Sequence, residues 1–224
     1  PANRTVVTVG MGLHHTCAIL DDGSLMCWGS DQDGKLGNGL EETSSQYTPV
    51  LINIPDNRNA IAVEGGHTNT CVLFDDGGVM CWGRDHLGQN GDGGSASTTH
   101  SPGANVALPE NRSAVDLSVG AYHSCAVLDD FSITCWGWNE RGQIGDNSTT
   151  NAHSPVMVKL PDGAKATDVD AGVWHTCAVL ENSSVYCWGW NKHKQVSGSG
   201  WEIHIPQYVN ETNSVVNVVA AETH

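Results

Sequence analysis

The sequence predicts an all-β chain organised as an array of four-stranded propeller blades, and three observations carry that prediction. Residues 17–29, Cys-Ala-Ile-Leu-Asp-Asp-Gly-Ser-Leu-Met-Cys-Trp-Gly, recur as 71–83, 125–137 and 177–189, the copies starting 54, 54 and 52 residues apart. Self-similarity at such a period marks a repeat architecture, because one unit cannot bury its own apolar face and must stack on the next. The eight prolines fall on two phases of the repeat, Pro49, Pro102, Pro155 and Pro206 on one and Pro1, Pro55, Pro109 and Pro161 on the other. Proline fixes φ and removes a donor, so shared proline phases are shared turns and strand edges. Finally, no window shows convincing helical periodicity.

The elements of the first unit follow in order. Residues 6–9, Val-Val-Thr-Val, read as a strand ending at Gly10. Residues 16–20 and 25–28 form a hairpin around Asp21-Asp22-Gly23, a three-residue loop with glycine at the left-handed position. After a polar loop, residues 47–52 read as an edge strand containing Pro49. Four short strands per unit make a propeller blade. The units run 1–54, 55–108, 109–160 and 161–212, and 213–224 starts a further repeat. Residues 215–224 match 6–15 and 166–175, and residues 1–5 match 109–113 in mid-repeat. Both ends cut the pattern, so the sequence reads as an excerpt of a longer repeat protein.

Ten Lys plus Arg against 25 Asp plus Glu give a formal charge of −15. Neutralising phosphates needs a basic stripe, which this chain lacks, so nucleic acid and anionic membrane surfaces are poor partners. No segment reaches the roughly 20 apolar residues of a membrane span. The acidity itself serves solubility.

The eight cysteines all sit in the repeated motif: Cys17 and Cys27, Cys71 and Cys81, Cys125 and Cys135, Cys177 and Cys187. The hairpin loop makes residues whose numbers sum to 44 face one another in unit 1: Leu20 and Ser24, Ala18 and Met26, Cys17 and Cys27. Directly opposed residues lie close to disulfide distance, so each unit can staple its own hairpin. Disulfides at this density point to an oxidising compartment. Zinc held by His15, Cys17 and Cys27 is the rival reading, weakened by Asn69 at the histidine position of unit 2. Free buried thiols are another. Five Asn-x-Ser/Thr sequons, at Asn3, Asn111, Asn147, Asn182 and Asn210, point to glycosylation and again to a secreted or cell-surface protein.

Unit 3 reads Gly120-Ala121-Tyr122-His123-Ser124-Cys125-Ala126-Val127-Leu128 and then Trp136-Gly137-Trp138-Asn139-Glu140-Arg141-Gly142-Gln143-Ile144-Gly145. Units 1 and 2 match it from Trp28-Gly29 to Gly34-Lys35-Leu36-Gly37 and from Trp82-Gly83 to Gly88-Gln89-Asn90-Gly91. This pattern resembles the regulator of chromosome condensation repeat over essentially the whole chain. The resemblance implies a seven-bladed β-propeller, of which four blades and one strand are present. The paired cysteines look like the family's extracellular variant. Two departures are expected to matter. Phe131 and Ser183 replace the hairpin glycine, so those turns must differ or carry strain. Residues 191–198 lose two glycines, which predicts a reshaped loop in unit 4.

A catalytic residue is needed once per site, so His15, His123, His175 and His224, which share one repeat position, read as packing and hydrogen-bonding residues. Trp28, Trp82, Trp136 and Trp188 read as repeat core. No triad or phosphate-cradling loop can be singled out, no cofactor is implied, and Asp31-Gln32-Asp33-Gly34 is a turn. Trp138, Trp174, Trp190 and Trp201 break the repeat, and exposed tryptophans mark partner surfaces. The expected function is a non-enzymatic extracellular scaffold that binds other proteins or glycans, or further copies of itself in a surface assembly. Alternatives are a secreted enzyme inhibitor of the β-lactamase-inhibitor type and, from another class, guanine-nucleotide exchange on a small GTPase. A light sensor would need clustered tryptophans, and only unit 4 carries Gly-x-Trp-His-Thr, at residues 172–176.

Overall fold

The computed structural model describes residues 3–40, 44–55, 58–94, 97–209 and 215–221. These residues form four antiparallel four-stranded sheets, each a meander in chain order. Blade 1 comprises β1 (Val6–Met11), β2 (His15–Leu20), β3 (Leu25–Gly29) and β4 (Gln46–Ile52). Blade 2 comprises β5 (Ala60–Gly65), β6 (Asn69–Phe74), β7 (Val79–Arg84) and β8 (Thr98–Thr99). Blade 3 comprises β9 (Ala114–Val119), β10 (His123–Leu128), β11 (Ile133–Gly137) and β12 (Ala152–Met157). Blade 4 comprises β13 (Ala166–Ala171), β14 (His175–Leu180), β15 (Val185–Trp190) and β16 (Glu202–Val209). Innermost strands of successive blades pack side by side, and the outermost strands are edges. Proline sits within these edges at Pro49, Pro155 and Pro206, where a missing N–H costs no ladder bond. The outer edge of blade 2 is cut short instead: beyond β8 it continues as an isolated bridge between Met80 and Asn105, with the Val106 N–H donating to Val79 O at 2.8 Å.

The hairpin register is the expected one. Cys17 faces Cys27, Ala18 faces Met26, and the Leu20 N–H donates to Ser24 O at 2.9 Å. The paired cysteines of all four hairpins lie 4.1 Å apart at Cα, the separation of a non-hydrogen-bonded cross-strand pair, and all four are joined as disulfides. Closing so short a loop stabilises by about 2.5–3 kcal/mol in the chain-entropy model.

The blades are joined through one repeated contact. Trp82, Trp136 and Trp188 are fully buried, and each indole Nε1–H donates to a main-chain carbonyl of the preceding blade: Lys35 at 3.1 Å, Gln89 at 3.0 Å and Gln143 at 2.6 Å. The glycine two residues after each carbonyl lies flat on the same ring. A Cβ on Gly37, Gly91 or Gly145 would meet the indole at 2.4, 2.6 and 2.7 Å. Trp28 has no described blade before it and is partly exposed.

Both expected departures take a definite form. Phe131 and Ser183 adopt φ 67 and 63, the left-handed conformation that Gly23 and Gly77 hold at φ 78 and 76. The turns are therefore conserved in shape and strained in blades 3 and 4. Side chains fasten them: Asp130 and Asn182 each accept from the N–H and hydroxyl of the serine two residues on. The loop of blade 4, by contrast, is not reshaped at its start, which corrects the sequence expectation. Lys194 takes φ 65 where Gly34, Gly88 and Gly142 take 69, 85 and 79. Val196 N–H still reaches Asn191 Oδ1 at 2.9 Å, as Ile144 reaches Asn139. Divergence begins at Ser197, which lacks the positive φ of Gly37, Gly91 and Gly145.

Residues 215–221 pair with no strand, yet they lie where the innermost strand of a next blade falls. Val218 N–H bonds Asp168 Oδ2 at 2.8 Å, and a Cβ on Gly172 would meet Ala221 O at 2.7 Å. Gly120 stands in the same relation to Gly172 O, and Gly66 to Gly120 O, at 2.2 and 2.5 Å.

Because Ser183 holds a left-handed turn without the freedom of glycine, Ser183→Gly should stabilise the chain by about 1 kcal/mol. Urea denaturation compared with the parent chain measures it.

Candidate functional site

Two positions in each blade are brought together at the end opposite the hairpin tips. The residue before β2, β6, β10 or β14 offers its carbonyl to the N–H of the residue two beyond the repeat tryptophan. Ser30 thus bonds His14 O at 2.8 Å, Arg84 bonds Thr68 O at 3.0 Å, Trp138 bonds Tyr122 O at 2.9 Å and Trp190 bonds Trp174 O at 2.8 Å. The slots of blades 3 and 4 are thus filled by four aromatic rings. Trp138 and Trp174 meet across the blade boundary with centroids 5.0 Å apart, and Trp174 and Trp190 at 5.8 Å. Tyr122 joins Trp138 at 6.0 Å and Trp174 at 6.5 Å, His67 of blade 2 extends the row at 5.4 Å, and His193 closes it against Trp190 at 5.2 Å. The four large rings are half-buried, so each keeps a face or edge to solvent.

Of the four tryptophans singled out in the sequence, the structure therefore unites three. Trp201 stands apart, 73% exposed just before β16. Sequence reasoning missed Tyr122, His67 and His193. The signal available was positional: Tyr122 and Trp174 occupy one repeat slot and Trp138 and Trp190 the other, so two aligned substitutions mark one surface.

Burial and hydrogen bonding assign the remaining candidates. The eight cysteines are internal to the blades. Asn3, Asn111, Asn147 and Asn182 are exposed, whereas Asn210 and His224 lie outside the described residues. Asn3, Asn111 and Asn147 adopt φ 67, 60 and 67, and the first two share their turn position with Gly163 at φ 72. Asparagine tolerates that conformation, so turn geometry alone accounts for its presence there.

The repeated histidines join blades. His15 Nε2 lies 2.7 Å from Thr70 Oγ1, whose own proton goes to Lys35 O at 2.7 Å, so Nε2 must be the donor. His123, Thr176 and Gln143 O repeat the relay at 2.8 and 2.9 Å. Both rings are neutral donors, with burial lowering His15 to about 4 and His123 to about 3. On the innermost strands a second device appears. Ser118 Oγ accepts the Ala171 N–H at 2.9 Å and donates to Asp170 at 2.7 Å, while Asp168 accepts Val218 N–H. These side chains satisfy edge N–H groups that have no strand neighbour. The arrangement crowds carboxylates: burial, with the charges of Asp170 and Asp116, pushes Glu64 up to about 7. Among the described residues no group of three or more His, Cys, Asp or Glu is placed to hold a metal, and no helix is long and apolar enough to cross a membrane.

Comparison with known proteins finds two models of the regulator of chromosome condensation (RCC1) repeat, one over residues 22–73 and 134–179, the other over 6–35, 60–89, 114–143 and 166–195. The ultraviolet-B receptor UVR8 of Arabidopsis thaliana is 29% identical over 202 residues, which cover 90% of this chain and 45% of the receptor. The chain thus spans less than half of that relative's length. Among solved structures, human WBSCR16 superposes with a TM-score of 0.85 at 18% identity, covering 98% of this chain and 56% of its own. Yeast RCC1 (Prp20), solved bound to Kap60, gives 0.82 at 20% identity, covering 98% and 53%.

The histidines and Glu64 titrate with opposite sign. A histidine lowered in the fold loses stability as pH falls from about 6.5 towards 4, because the unfolded chain takes the proton first. Glu64, raised in the fold, loses stability as pH rises from about 4.5 to 7. Glu64→Gln should therefore steepen the loss of stability on acidification below about pH 6.5 by roughly one proton. Urea midpoints taken across that range give the slope.

Proposed function

This chain belongs to the regulator of chromosome condensation repeat family, and on that basis we propose that it is a non-enzymatic extracellular module that binds a protein partner across the aromatic row of blades 3 and 4. The observation that carries the reading is the row itself. Four half-buried rings from two blades, with imidazoles at both ends, sit at or next to strand ends, where a main-chain hydrogen bond in each blade pins the two ring-bearing residues together. Tyrosine and tryptophan dominate binding hot spots because they supply large contact area at low entropic cost.

The extracellular part of the reading is supported by the four hairpin disulfides, by the acidic balance and by the exposed sequons, of which Asn3, Asn111 and Asn182 lie at the hairpin-tip end. Guanine-nucleotide exchange is disfavoured on the same ground, since its reducing compartment would not keep those bridges. A thiol titration of the natively produced protein should find no free cysteine. Eight free thiols would return the exchange-factor reading.

In a binding screen against extracellular proteins and glycans, Trp174→Ala should weaken any hit by roughly 30-fold or more, the cost of losing a hot-spot ring. Arg112→Ala, at the hairpin-tip end, should leave it unchanged. Binding that survives Trp174→Ala places the partner on another surface, and a glycan-only hit replaces the protein partner with a sugar.

A further inference from the structure

We propose that the loop between β7 and β8 of blade 2 holds a divalent cation of the calcium class between Asp85 and Asp92. The other blades show what this loop normally contains. Its first residue anchors the chain by accepting a main-chain N–H five residues on: Leu36 to Asp31 at 3.1 Å, Asn90 to Asp85 at 2.8 Å, Ile144 to Asn139 and Val196 to Asn191 at 2.9 Å. The second side-chain atom of that anchor then meets a partner of opposite hydrogen-bonding sense. In blade 1, Asp31 Oδ2 accepts from Asn38 Nδ2 at 2.8 Å. In blade 3 the roles reverse, with Asn139 Nδ2 facing Asp146 Oδ1 at 3.4 Å and Ser148 Oγ at 3.1 Å. In blade 4, Asn191 Nδ2 donates to Gly200 O at 2.9 Å.

Blade 2 breaks the pairing. The residue seven beyond Asp85 is Asp92, so the position that meets the anchor as Asn38 in blade 1 and Asp146 in blade 3 carries a carboxylate facing an anchor that is itself a carboxylate. Asp85 is only 1% exposed, and its Oδ2 is buried with no hydrogen-bond partner among the described residues. The negative charge of Asp92 bears on it, opposed by that of His153 from β12, an exposed imidazole. Asp92 itself accepts the Gly94 N–H through Oδ1 at 2.7 Å.

A second departure falls in the same loop. The slot that holds buried Leu36, Ile144 and Val196 elsewhere holds Asn90, also 1% exposed. Asn90 Nδ2 donates to Thr99 Oγ1 at 2.9 Å, and its Oδ1 is buried and unbonded among the described residues. An amide in an apolar slot and a carboxylate against a carboxylate both add oxygen and remove donors. An unpaired buried charge is costly, and one hard cation with two carboxylates, an amide oxygen and water answers the whole excess. Two carboxylates rather than three or four place the affinity in the submillimolar to millimolar class of extracellular calcium modules. None of the aromatic row takes part, so this site stands or falls apart from partner binding.

Asp92→Asn recreates the Asp31–Asn38 pair of blade 1 and keeps the side-chain shape; Asp85→Asn recreates the anchor of blades 3 and 4. In buffers matched for ionic strength with sodium chloride, millimolar calcium chloride should raise the thermal midpoint of the full chain and leave both variants unmoved. Calorimetric titration of the full chain should show one site, absent from Asp92→Asn. An equal shift in all three proteins, or none in any, overturns the proposal. So does a full chain that is stabilised on going from about pH 7 to about pH 5 but indifferent to calcium, because the two carboxyls would then share a proton.

Discussion

The main-chain carbonyl of Lys35 accepts two hydrogen bonds from the next blade, one from Trp82 Nε1 and one from Thr70 Oγ1, and Thr70 in turn accepts from His15 of the first blade. Gln143 repeats the arrangement with Trp188, Thr176 and His123. Each four-stranded sheet has two apolar faces and no means of covering them alone. The latch fixes how neighbours cover one another, because a buried indole N–H, a buried hydroxyl and a buried imidazole are all satisfied only at one relative position. Glycine at Gly37, Gly91 and Gly145 is required for the same reason, since any side chain would strike the ring.

A frame fixed in this way explains why surface positions carry information. The two slots at the end of each blade are held by a main-chain hydrogen bond whatever residue fills them. Blade 1 fills them with His14 and Ser30 and blade 2 with Thr68 and Arg84, so aromatic filling in blades 3 and 4 reflects surface chemistry rather than folding need. The same logic isolates the loop of blade 2. Asp85 and Asp92 stand out because three sibling loops show the satisfied version.

Several features were legible from particular residues. Asp21-Asp22-Gly23 and its alternating flanks specified the hairpin, its register and the cysteine pairing, since strand side chains alternate with period two and a short loop pins which residues oppose. Pro49, Pro155 and Pro206 placed the outer edge. The glycine losses were less readable. Lys194 and Ser183 occupy left-handed positions that their side chains disfavour, because surrounding hydrogen bonds outweigh about 1–2 kcal/mol of local strain. Ser197 does diverge, without the positive φ of its sibling glycines.

The sequence by itself determined the repeat, the blade and its internal staples, because those depend on residues within one unit and on periodicities the chain displays directly. Only the tertiary structure decided that Trp138, Trp174 and Tyr122 meet while Trp201 does not, that Asp168 and Ser118 satisfy the neighbouring strand's N–H groups, and that Asp85 Oδ2 has no donor among the described residues. Each of these turns on atoms from different blades or from opposite ends of a loop, brought within a few ångströms by the latch. Spacing along the chain does not encode such distances.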